Sequence, residues 1–444
     1  MNSIQYRFQK EIPVIAEADI LVVGGGPGGL GAAVMAARSG VKVILAERYG
    51  VLGGMAAQGE VSPFMISHLQ KVNEQGENLF YTLDRPVYYE WNRKMADYCS
   101  PEIRKKKQDD PEVLFGTIAK DIASLAAEDL CLEAGVKILY HHALADVKMD
   151  AAMGITEAIF LSKSGLVAIR AKNFVDSTGD GDLAVMAGAP SEFGGESGYC
   201  QPMTTCFKIR NIDMSRIPEG KELQQLYQEA KASGVIDCPR ENLLYFNTYE
   251  DGTIHFNSTR VVMKSAVDGV ELSEAELEGH RQLKELFIWF RDNVPGFESS
   301  SIASFASHIG IRESRRILGL QYLTREDFLN KAKFSDGIAR CNYMIDIHNP
   351  AGAGTEIIRM DRKDFYEIPF GCIVPQKVKN LAIGSRCISV DHALHSSCRI
   401  MPTVISIGQA AGAAAALSVK KQISICELNG TEVRKKLIEM GAVL

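Results

Sequence analysis

The chain has 444 residues, more than one compact domain normally needs, and predicts two structural units. At 46% hydrophobic and 23% charged residues, with mean hydropathy of −0.04, it is an ordinary globular sequence, which excludes disordered and fibrous classes. A net charge of −6 and a pI near 5.9 argue against nucleic acid or an anionic membrane as partner, because both repel an acidic surface. The basic run Arg104-Lys105-Lys106-Lys107 is followed by Asp109, Asp110 and Glu112 and reads as a solvated face.

Residues 1–20 contain no apolar stretch of signal-peptide length. The apolar run 404–419 includes Gln409 and much Gly and Ala, and is too short to span a bilayer. Ten cysteines without a CxxC pair indicate neither a zinc site nor an iron–sulfur cluster, and suit reduced thiols in a cytoplasm. The expected partner is a small-molecule substrate; the sequence leaves a homo-oligomer open.

In chain order, Asp19-Ile-Leu-Val-Val23 predicts a strand, followed by a glycine cluster and an alanine-rich helix that Gly40 ends. Residues 41–47 read as the next strand, completing a strand–helix–strand unit. Residues 60–110 are polar and irregular with helical patches, a helix is predicted over 117–135, and residues 135–140 suit another edge of the same sheet. Helical stretches are predicted over 273–292 and 301–318. From residue 378 onward a strand, a turn and a small-residue helix return. The pattern predicts a discontinuous nucleotide-binding unit, 16–200 with 366–444, and an inserted substrate unit, 201–365.

Gly24-Gly25-Gly26-Pro27-Gly28-Gly29 satisfies GxGxxG through Gly24, Gly26 and Gly29. The first glycine allows the tight turn, the second lets backbone approach a pyrophosphate, and the third lets helix pack on strand. Phosphates then sit at the positive end of the helix. Such a loop is weak evidence alone, since glycines also serve ordinary turns. Here it follows a strand, opens a helix, and is followed by Glu47 at the end of the next strand, placed to accept from a ribose diol. Arg48 and Gly53-Gly54-Met55 continue the site. No second GxGxxG follows a strand; Phe193-Gly194-Gly195-Glu196-Ser197-Gly198 lacks both flanks. One dinucleotide site beside a large substrate unit favours bound FAD over a diffusing nicotinamide.

Three later segments carry a resemblance. Val175-Asp176-Ser177-Thr178-Gly179-Asp180-Gly181-Asp182 resembles the ATG-type motif of glutathione-reductase-like flavoproteins. Val378-Lys379-Asn380-Leu381-Ala382-Ile383-Gly384 looks like their closing strand, and Met401-Pro402-Thr403 opens the helix that completes it. Gly310-Ile311-Arg312-Glu313-Ser314-Arg315-Arg316-Ile317-Leu318-Gly319 is similar to a signature of the bacterial FAD-dependent oxidoreductase family, distantly related to fumarate reductase flavoproteins. The resemblance runs from about residue 18 to 418. It implies an α/β fold, a Rossmann-like FAD-binding domain of glutathione-reductase type, with an inserted α+β substrate domain. The catalytic His and Arg strings of fumarate reductases are absent, as are the cysteine clusters of heterodisulfide reductases. Gly384-Ser385-Arg386 stands where many relatives place Asp after the glycine.

For chemistry, free amides around Thr403 and Val404, with Arg399, are expected to stabilise negative charge on a reduced flavin. Arg312 and Arg315, three apart on the expected helix, would share a face and orient a substrate, with His308 one turn earlier; Arg316 would point elsewhere. The bland alternative for the arginines is ion pairing with Glu313 or with acids of another domain. Asp346-Ile347-His348 puts two titratable groups on one side of a strand, as a general base requires, with His392 and His395 of a nearby loop as rivals. A lone histidine is more often structural. Asn257 and Arg260 are expected to line the pocket, and Cys387 and Cys398 to be buried thiols. The expected activity is hydride exchange between FAD and a small polar substrate, a sugar or hydroxy acid. The alternatives are a carbon–carbon double-bond reductase and a flavin electron-relay subunit.

Overall fold

The computed structural model describes residues 11–65, 67–72, 78–109 and 119–444. Residues 1–10, Asp110 and Glu112 lie outside the described residues; Arg104 is exposed and pairs with Asp97 at 3.5 Å.

The chain opens with strand β1 (Val14–Val23), helix α1 (Pro27–Arg38) and strand β2 (Val43–Ala46). An antiparallel pair, β3 (His68–Val72) and β4 (Asn78–Thr82), and helices α2 (Val87–Lys94), α3 (Pro101–Asp109) and α4 (Lys120–Glu133) occupy the irregular stretch. Strands β5 (Lys137–Leu139), β6 (Ala143–Met149), β7 (Ile155–Ser162) and β8 (Gly165–Asp176) follow, then α5 (Asp182–Met186) and β9 (Ser191–Phe193). A second region holds β10 (Phe207–Arg210), α6 (Gly220–Ala232), β11 (Tyr245–Asn247), β12 (Ile254–Phe256), α7 (Gly269–Asn293) and β13 (Ser301–Phe305). The chain returns through β14 (Arg315–Ile317), α8 (Arg325–Leu329), β15 (Gly337–Cys341), β16 (Ile345–His348), β17 (Thr355–Ile358) and β18 (Tyr366–Pro369). It closes with β19 (Leu381–Ile383), α9 (His392–Cys398), α10 (Met401–Lys421) and α11 (Gly430–Glu439).

The main sheet has the order β5-β2-β1-β8-β7-β6. β5, β2, β1 and β8 are parallel, while β7 and β6 are antiparallel additions. β8 is long enough to serve two partners along its edge away from β1: residues 165–170 pair with β7, and 174–176 with parallel β19. Both faces of β2 are buried, as a continuous Val-Ile-Leu-Ala run requires. The carboxyl ends of β1, β2, β8 and β19 therefore meet, the position where open parallel sheets bind ligands. The second region packs a four-stranded antiparallel sheet, β11-β12-β10-β13, on α7 around its own apolar core. Phe207 stacks on Phe256 at 5.1 Å, and Phe290 on Phe297 at 4.7 Å.

Helix α10 is longer than its apolar run suggested and passes the length and apolarity test for a membrane span, but 89% of that window is buried in the protein. It runs beside α1 at backbone contact. A Cβ on Gly408 would lie 1.9 Å from the Gly28 carbonyl oxygen, and one on Gly412 would lie 2.1 Å from that of Ala32. The pairing 28 with 408 and 32 with 412 makes the helices parallel, so both N-termini face the same way. All ten cysteines are free, with Cys387 and Cys398 buried as expected.

Two expectations fail. Residues 301–318 are not a helix but β13, an extended segment and β14, because Ser301–Phe305 pairs with β10 and Arg312 and Arg315 find partners far along the chain. Residues 391–395 are not a loop: Asp391 caps α9, its carboxylate accepting from the Leu394 amide at 2.6 Å.

Asp84, between β4 and α2, is fully buried and accepts from the Ser406 hydroxyl on α10 at 2.8 Å. Burial pushes its carboxyl from 3.8 up to about 8, against the opposing effect of Ser406. Folding therefore takes up a proton between those values, and stability falls as pH rises across that window. Asp84→Asn should raise the Tm by a few degrees at pH 7.5, with the gain shrinking toward pH 4.5. A gain independent of pH would contradict an uncharged Asp84.

Candidate functional site

A cavity of about 650 Å³ runs along the carboxyl ends of the parallel strands and on to β16 and β17. Its first part is the glycine loop. Gly24, just past β1, has φ +102°, and a Cβ there would lie 2.3 Å from the Ser177 carbonyl oxygen. Gly29 lies against the Gly24 carbonyl and Gly28 against that of Gly384, each leaving 1.9 Å for a Cβ. Gly26 differs: the nearest atom to its Cβ would be Gly54 Cα at 3.7 Å, so this position faces the open cavity at the N-terminus of α1. That is the cradle a pyrophosphate requires, with amides and helix dipole directed at it.

Glu47, buried at the end of β2, accepts from the Gly25 amide at 2.6 Å and the Tyr49 amide at 2.8 Å. Burial raises its carboxyl above the usual value despite those bonds. Gly53 donates its amide to the Gly25 carbonyl, and Gly54 and Met55 line the cavity beside Gly24, Gly26, Pro27 and Gly28. Arg48 lines it too, and its guanidinium donates to His308 Nε2 at 3.2 Å. His308 Nδ1 lies 2.8 Å from the Ile309 carbonyl and must donate to it, which makes Nε2 the acceptor.

Gly179 and Ser385-Arg386 line the middle of the cavity, while Gly384 lies behind it, its carbonyl accepting from the Ser177 hydroxyl. Asp180 lies off the wall, accepting from Arg386 at 2.7 Å and from Ser314 at 2.8 Å. At the α10 end, Arg399, Ile400, Met401 and Val404 form the wall, and Thr403 is buried behind it.

The inner end holds the titratable groups. Arg312 donates to the Pro202 carbonyl at 2.8 Å and the Thr204 hydroxyl at 2.5 Å, with Asn257 Oδ1 at 3.5 Å. Burial lowers its pKa to about 9, and the nearby Arg399 and Arg240 add to the shift. Asp346 and His348 share one side of β16, with His348 Nε2 3.5 Å from Asp346 Oδ2. Buried Arg260 donates to His348 Nδ1 at 2.9 Å, which leaves the proton on Nε2, toward Asp346. Burial, with Arg312, lowers the His348 pKa to about 3, so the ring is neutral. Burial also disfavours charge on Asp346, but the hydrogen bond from His348, with the charges of Arg399 and Arg312, outweighs it and keeps the carboxyl ionised.

Several sequence candidates fall elsewhere. Arg315 does not share a face with Arg312; it pairs with Asp182 at 2.7 Å and lies off the cavity. His308 serves Arg48, not the inner end. His392 donates from Nδ1 to Glu313 at 2.8 Å, beside the Glu313–Arg316 pair at 2.6 Å, and does not line the cavity. Sequence reasoning missed Arg240, Glu241 and Tyr343; the first two come from the loop after α6, which carries no periodic signal.

A mixed α/β sheet whose parallel strands end on a glycine cradle defines a dinucleotide-binding groove, here continued into a polar chamber. The sequence model of the FAD dependent oxidoreductases matches residues 19–437, so the chain belongs to that family and is a FAD-dependent oxidoreductase. No curated protein matches the chain. Similar solved structures include a geranylgeranyl bacteriochlorophyll reductase-like protein from Thermoplasma acidophilum (12% identical over 96% of this chain and 84% of that one, TM-score 0.45). The flavin-dependent brominase Bmp2 is 11% identical over 92% of this chain and 80% of that one, with TM-score 0.42. The myxobacterial chondrochloren halogenase CndH is 14% identical over 96% and 80%, with TM-score 0.41.

Two glycine variants separate cofactor binding from packing. Gly26→Ala should leave the apoprotein Tm unchanged and weaken FAD binding about 10- to 100-fold, the effect of a methyl intruding on a fitted ligand. Gly28→Ala, directed at a carbonyl, should lower the Tm. Equal flavin content in Gly26→Ala and wild type would place the pyrophosphate elsewhere.

Proposed function

We propose that the protein exchanges a hydride between FAD and a carbon of a small polar organic substrate, a sugar or hydroxy acid, bound at the inner end of the cavity. The observation that carries this reading is the continuity of one cavity, from the glycine cradle to Arg312, Asp346, His348 and Arg399. Gly26 and the amides of α1 would hold the pyrophosphate, Glu47 the adenosine ribose, and the first turn of α10 the pole of the ring that gains negative charge. Bound FAD supplies a two-electron acceptor or donor.

In the oxidising direction the substrate C–H bond gives up its hydride while the hydroxyl proton passes to a nearby base. We assign the base to Asp346. His348 has its Nδ1 taken by Arg260 and its Nε2 proton directed at Asp346, so it is a positioning residue that orients the carboxylate. Arg312 and Arg399, on the same wall, orient the substrate.

The test is the anaerobic visible spectrum of the purified protein during addition of a panel of sugars and hydroxy acids. One panel member should bleach the flavin; if none does, the small-substrate reading fails. With that substrate, Asp346→Asn should lower kcat about 10²- to 10⁴-fold with full flavin content. Because His348 stays neutral above about 3, kcat/KM should have no histidine inflection between about pH 5 and 8. Such an inflection, abolished by His348→Gln, would transfer the role of base to the histidine.

A further inference from the structure

The inner end of the cavity carries more positive charge than its own acids balance. Arg240, Arg312 and Arg399 all line it, and among the described residues none has a carboxylate oxygen within 4.0 Å. Arg312 spends its known bonds on a carbonyl, a hydroxyl and an amide oxygen. Arg399 reaches the Gln201 side-chain oxygen at 3.3 Å and the Asp346 carbonyl at 3.4 Å. Arg240 is 5% exposed, and its Nε has no acceptor; neither has that of Arg399.

The acids on this wall are committed or outnumbered. Glu241 pairs with Arg260 at 3.0 Å and accepts from Thr355 at 2.9 Å. Asp346 faces the neutral His348. Four guanidiniums (Arg240, Arg260, Arg312, Arg399) against two carboxylates (Glu241, Asp346) leave two positive charges uncompensated. Elsewhere the chain pairs its buried arginines closely, as with Arg316 and Glu313 at 2.6 Å. Secluded charges are stable only when matched, and unused N–H donors add to the cost. A flavin that gains negative charge on reduction answers one excess charge only in that state, leaving the other for the substrate.

We infer that the substrate carries a carboxylate: it is a hydroxy or oxo acid and not a neutral sugar, with its carboxylate held among Arg240, Arg312 and Arg399 and its reacting carbon beside Asp346. This rests on the small-substrate reading above and narrows it. Arginine matches a carboxylate through two parallel hydrogen bonds, and Arg240, Arg312 and Arg399 line the cavity with no carboxylate of the described residues already engaging them.

The test uses the FAD-loaded protein, kept anaerobic, titrated with lactate and malonate and with their uncharged amides, following the flavin absorption band. The acids should give a saturable shift with Kd at least ~10-fold below the amides, as charge-assisted hydrogen bonds require. Arg312→Gln and Arg240→Gln should each raise the malonate Kd about 10-fold or more with FAD retained. Amides that bind as well as acids would overturn the inference, without help from any variant. Inorganic phosphate or sulfate displacing malonate at lower concentration would overturn the carboxylate in favour of a tetrahedral oxyanion. A neutral sugar that bleaches the flavin would also overturn it, leaving the small-substrate reading intact. Acids that bind but never reduce the flavin, with no other small molecule doing so, would defeat that reading and leave the anion site standing.

Discussion

The close approach of α1 and α10 is the contact on which the rest of the site depends. Gly28, Gly31, Gly408 and Gly412 each meet backbone of the partner helix or of Gly384 at distances that leave no room for a Cβ. Because the helices run parallel, their N-termini open on one cavity, one at the glycine cradle and the other beside Arg399. Alanine and glycine therefore fill these helices for a geometric reason: larger residues would part them. β19 adds to the same constraint by pairing with the last residues of β8 and carrying Gly384 against Gly28.

Around this frame the buried charges divide into two populations. Those that hold segments together are matched: Asp180 with Arg386, Asp182 with Arg315, and Glu313 with Arg316 and His392. Removing one partner of such a pair leaves an uncompensated charge, so these groups serve the fold. Arg312 and Arg399, at the inner end of the cavity, are held by neutral oxygens, which fix their direction without cancelling their charge.

Much of the cofactor half was legible in the sequence because its signals are local. Strand, glycine loop, helix and Glu47 lie within a single crossover unit, and the tight turn at Gly24 and the close packing at Gly29 are as expected. Asp346 and His348 were legible too, since a two-residue spacing on a strand leaves little choice of side. Arg312 and Arg315 misled because a three-residue spacing of charges looks helical, whereas here their partners are Thr204 and Asp182, more than one hundred residues away in sequence. His392 misled in the opposite way: Asp391 before it is a capping residue, and reading it as one would have given a helix and not a loop. Arg240 and Glu241 had no local signature; only the tertiary path of the loop after α6 brings them to the chamber.

The central claim is that one cavity holds the whole cofactor, with its reactive ring at the arginine-lined end. A crystal structure of the FAD-loaded protein tests it most directly. The account predicts the pyrophosphate over Gly26 and the ring between the first turn of α10 and the wall formed by Arg312 and Asp346. A ring directed away from that wall, with Arg312 and Asp346 out of reach of any substrate lying on it, would contradict the account while leaving FAD as the cofactor.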